Sequence, residues 1–178
     1  MKLLITKAKG YVFGVLMFLM ISFCIFSADA SAIIKHPFDT LKHVAKENRA
    51  DVATGFYKNN YRHIDEKIAM SYLDQLTTMA RQYDDKVLES VVFDLKADYY
   101  AVNTKFNKLT INYYNKAADF ATENNLTLQT AIYLHHAGMF YSNFKHNTTA
   151  CLYFLKAQEE FKKVGFKNVP NMSGCLLY

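Results

Sequence analysis

The adjacent histidines His135-His136 are the one place where this sequence could gather metal ligands or a general base. Neighbours on a helix point about 100° apart, and the residues that share a face with them are Ala131, Ile132, Met139 and Phe140. None of these is a strong ligand, so the pair is read as packing or groove-lining and no metal is expected. Four glycines follow residue 30, Gly55, Gly138, Gly165 and Gly174, too scattered to cradle a phosphate. There is no His-Glu-x-x-His, Gly-x-Ser-x-Gly or Cys-x-x-Cys. A small hydrolase would rest on the histidines alone, so no enzyme and no cofactor are expected. Cys151 and Cys175 are separated by 23 residues without a symmetric framework, and two unpaired thiols are the better expectation.

The elements that would have to position any site are helical. The 178 residues are 51% hydrophobic, with 14 Phe and 13 Tyr but only six Gly and two Pro, a balance that suits helix over turn-rich β structure. Lys2, Lys7 and Lys9 precede an uncharged, mostly apolar run of 17 residues, Tyr11 to Ser27, and Ala28-Asp29-Ala30 has the small-x-small form of a cleavage site. Residues 1–30 are therefore read as a secretory signal peptide, with an uncleaved anchor as the rival. The chain after residue 30 has 18 basic and 15 acidic residues and a net charge of +3, with no basic run beyond Lys162-Lys163. That excludes a nucleic-acid footprint.

Residues 31–38 read as a linker, and Asp39 as a cap for a first helix running, broken once, towards Asn60. Helices are then expected from Asp65-Glu66 to Asp84-Asp85, Val87 to Asn103, Leu109 to Asn124, Leu128 to Phe144 and Thr149 to Val164, with Gly165 in the left-handed conformation. The stripe Ile68, Tyr72, Leu76, Met79 and Ala80 faces a core on the first full helix. Residues 91–120 set against 131–160 give seven identities: Ala97/Ala137, Asn103/Asn143, Lys105/Lys145, Asn107/Asn147, Tyr113/Tyr153, Lys116/Lys156 and Ala117/Ala157. Chance would give about two. The chain is read as a helical repeat of about 40 residues, in units 50–85, 86–125 and 126–165. Tyr113, Tyr141, Tyr153 and Phe154 are assigned to packing, and Lys156, Glu159, Glu160, Lys162 and Lys163 to a solvated face.

Gly138 with Tyr141 in one helix, then Ala150, Phe154 and Ala157 in the next, resembles the tetratricopeptide repeat. In the earlier unit Ala97, Ala117 and Tyr114 match, but Asp98 stands in place of the Gly and Thr110 in place of an Ala. The long period is similar to the extended repeats of exported bacterial proteins, often found ahead of a membrane helix and a sensor-kinase or transcription-regulator module. The resemblance implies an all-α, right-handed α-solenoid of antiparallel helix pairs over 39–178 whose first helices line a groove. On that pattern Leu95, Tyr99 and Asn103, then His135, Met139, Ser142 and Asn143, would face a peptide or protein partner, or else only pack against an adjoining helix. The implied function is an exported, periplasmic or envelope-associated interaction scaffold without chemistry of its own; the alternative is the periplasmic sensor region of a longer signal-transduction protein. Membrane association would come only through the signal or a missing carboxy-terminal region. Pro170 and the residues after it read as the start of a truncated further unit, 170–178, whose open end would favour self-association. Asn125, Asn147 and Asn171 begin Asn-x-Ser/Thr triplets that Asn-rich turns produce by chance.

Overall fold

The computed structural model describes residues 38–165. The signal peptide, most of the linker, Cys175 and the further unit at 170–178 lie outside the described residues. The chain divides at His43 and Val44 into two compact units. Of the first, the described residues 38–43 are helical. Asp39 lies inside this helical stretch, which ends at His43, and pairs with Lys42 at 2.8 Å.

The described part of the second unit is all helical. It comprises α1 (Lys46–Asn60), α2 (Glu66–Gln82), α3 (Lys86–Asn103), α4 (Lys108–Glu123), α5 (Thr127–Asn143) and α6 (Asn147–Lys163). An apolar stripe and a polar turn at either end set α2, α3, α4 and α6, whereas α1 and α5 carry no marked stripe. From α2 onward each packs on the next in sequence, and α3 also touches α1 and α5. Among the described residues no helix is long and apolar enough to cross a membrane.

Side-chain caps fix several helix starts. Asp65 accepts the amides of Lys67 and Ile68 at the head of α2, and Asp85 that of Leu88 at the head of α3. Asn107 accepts the Thr110 amide at 2.7 Å at the head of α4. Asn107→Ala removes that acceptor and should cost about 1 kcal/mol of stability by urea denaturation.

Small residues sit where helices cross. Ala97, Ala117, Ala118, Ala121, Ala131, Ala137, Ala150 and Ala157 are all buried, and large rings fill the space between them. Tyr114 and Phe140 pack with Ala97 and Ala137, and Tyr133 packs with Ala117, Ala118 and Ala121. The Tyr133 hydroxyl meets Ser90 Oγ at 2.8 Å, a buried tie from α5 to α3. Each ring taken from water contributes about 1.5–3 kcal/mol. Phe154 is buried against Ala150, and Tyr141 and Tyr153 stack on each other with centroids 5.4 Å apart, as the packing assignment expects. Ile68 departs from its expected stripe and is half exposed; Ala69 and Leu73 are buried on α2 instead.

Candidate functional site

Two carboxylates one turn apart on α3, Asp94 and Asp98, interrupt an otherwise largely apolar helix. A helix this deeply packed tolerates charge only where a counter-charge meets it. For Asp98 that partner is Arg62, in the turn between α1 and α2. Its guanidinium grips the carboxylate in a bidentate fork at 2.8 and 2.9 Å. This fork raises the Arg62 pKa further, so its charge is permanent. Tyr57, buried on α1, lies beside Asp98. Burial first, then the Asp98 charge, pushes its phenol up, so it stays protonated.

Asp94 is met by His136 Nδ1 from α5 at 2.8 Å. Lys58 on α1 is near enough to oppose the imidazole's charge, and the Tyr114 ring of α4 meets the imidazole with centroids 6.3 Å apart. A polar seam thus runs across α1, α3 and α5: Lys58 and Arg62, then Asp94 and Asp98, then His136. The departure of Asp98 from the repeat pattern has a local cause. It occupies the position that Gly138 takes one unit later, where Phe154 presses on the helix; in the earlier unit that space is shared by a charge that Arg62 needs.

The expected groove residues divide into two groups. Met139 is 41% exposed, and Ser142 and Asn143 on the same helix are exposed with it. Asn103 is exposed at the end of α3, where its amide donates to the Arg62 and Tyr99 carbonyls at 2.7 and 2.8 Å. Leu95 and Tyr99 are buried, with 2% and 5% exposure, and do not line a surface. Contact with α1 covers this part of α3, and the Tyr99 hydroxyl donates to the Ile64 carbonyl at 2.8 Å. His135 turns towards α6, its ring 5.3 Å from that of Phe154, while His136 turns to α3. The two imidazoles diverge as helical neighbours must, and among the described residues no group of three potential ligands could hold a metal.

Comparison with known proteins brings no match. No family model, no curated protein and no solved structure resembles this chain closely enough to count. What the site can do is therefore read from its residues alone. Asp98 is engaged by the Arg62 cation and Asp94 by the His136 imidazole, an arrangement that ties α3 to α5 and to the turn after α1, one helical turn from the exposed Met139.

Sequence reasoning missed Arg62, Asp94, Asp98 and His136 as a set. The signal for half of it was present: two Asp four residues apart in a helix rich in Val, Leu, Phe and Tyr. Their partners lie 36 and 42 residues away, and no local pattern names them.

Proposed function

We propose that this chain is an exported helical-repeat scaffold, a right-handed solenoid of the tetratricopeptide kind, that holds a peptide or protein segment along α1, α3 and α5 and performs no chemistry of its own. The order of helix contacts carries the reading: from α2 onward each helix packs on the next, and α3 touches α1 and α5. Asp84, Asn125 and Gly165 have left-handed φ of 45°, 58° and 85°, each just after the second helix of a unit, and Lys145, between the two helices of the last unit, has φ of 62°. At the first two, the following amide returns to a carbonyl of the preceding helix at 2.8 Å, Asp85 to Ala80 and Leu126 to Ala121. Such a closure aims the chain back across the helix just finished. Such turns, found between units and also inside the last, fold successive helices back on one another, and stacking of the pairs sets alternate helices side by side. The apolar run and Ala28-Asp29-Ala30 support export.

A photo-crosslinking residue at 139 tests the binding face, with position 119 on α4, also exposed, as control. In the native host, position 139 should give a discrete, saturable adduct that position 119 does not. Equal labelling at both, or none at 139, contradicts the proposal.

A further inference from the structure

We infer that His136 and Asp94 form an acid-tightened clasp that binds α5 to α3. The contact is direct, 2.8 Å between Nδ1 and Oδ1, and joins residues 42 apart in sequence. Asp94 is only 14% exposed, so its charge is weakly screened, while the imidazole is 39% exposed and can exchange its proton with solvent. The groups facing His136 are Asp94 and Asp98 from α3, Lys58 from α1, the Tyr114 ring from α4 and His135 on its own helix. Burial pulls the imidazole down, but the Asp94 charge and hydrogen bond, helped by Asp98 and opposed by Lys58, outweigh it, and His136 titrates above its ordinary value.

The direction of the effect follows. Because the folded chain holds this proton more tightly than the unfolded one, the clasp is at full strength below the ordinary histidine value of about 6.5 and is lost as pH rises through the raised folded value. Mild acid therefore tightens the hold of α5 on α3, and alkaline conditions weaken it while the Ser90–Tyr133 tie remains. The clasp needs no partner, so its test is independent of the scaffold reading.

In the full chain, a proton–carbon NMR titration should place the His136 midpoint above that of free imidazole, and Asp94→Asn should bring it to or below that value. The melting temperature of the wild type should fall between pH 6 and 8.5 by more than that of His136→Gln, which serves if Asp94→Asn does not fold. A His136 midpoint at or below the free value, or the same pH dependence in His136→Gln, would overturn the inference.

Discussion

Gly138→Leu should destabilise the chain by about 1 kcal/mol in urea denaturation, the balance of an overpacking cost of roughly 1–3 kcal/mol against a helix-propensity gain of about 1 kcal/mol. A Cβ at Gly138 would stand 2.7 Å from two carbons of the Phe154 ring, closer than real contacts allow. The ring cannot swing aside freely, because it is 5% exposed and packed beside Ala150 and His135. The helices α5 and α6 must then separate, or the ring must leave its rotamer. Gly138→Ala in a Phe154→Leu background should cost clearly less than Gly138→Ala alone, a non-additivity expected of residues in contact. A raised melting temperature for Gly138→Ala in the wild type would show that the two helices do not cross there.

Arg62→Ala should cost about 2 kcal/mol, less than the 3–5 kcal/mol of a fully buried pair because the arginine side chain is 34% exposed and water screens part of the attraction. The loss leaves Asp98 without its fork, one turn from Asp94 and beside the Tyr57 phenol. Removing both partners should cost less than the sum of the single losses. A cycle of Arg62→Ala, Asp98→Ala and the double variant should therefore give a coupling near 1 kcal/mol or above, and additivity within about 0.5 kcal/mol would show the fork to be without consequence.

The helices were legible because their turn signals are local, and most also carry an apolar stripe. Thr127–Asn143 and Asn147–Lys163 each begin within two residues of the sequence-based expectation. The left-handed Gly165 and the contact of Gly138 with Phe154 were legible too, since a glycine after a helix end and a glycine opposite a ring each have a local physical reason. The break at Val44–Ala45 was foreseen as a break but not placed.

The site was harder to read because it depends on phase. On α3 the charged stripe is Asp94 and Asp98, one residue from the expected Leu95 and Tyr99, and one residue rotates a side chain by about 100°. On α5 a shift of one residue in the opposite direction exchanges His135 for His136. A periodic pattern fixes which residues alternate between core and solvent, but contacts distant in sequence decide which part of the surface stays open, as when Arg62, in the turn after α1, reaches Asp98 across 36 residues.

The face shared by α3 and α5 is tested most directly by nuclear Overhauser contacts of the two histidine rings in the full chain. The His136 ring should show cross-peaks to Asp94 on α3 and to the Tyr114 ring, and the His135 ring to Phe154 on α6. Cross-peaks from His135 to α3 with His136 turned to Phe154, or none between α5 and α3, would contradict the account.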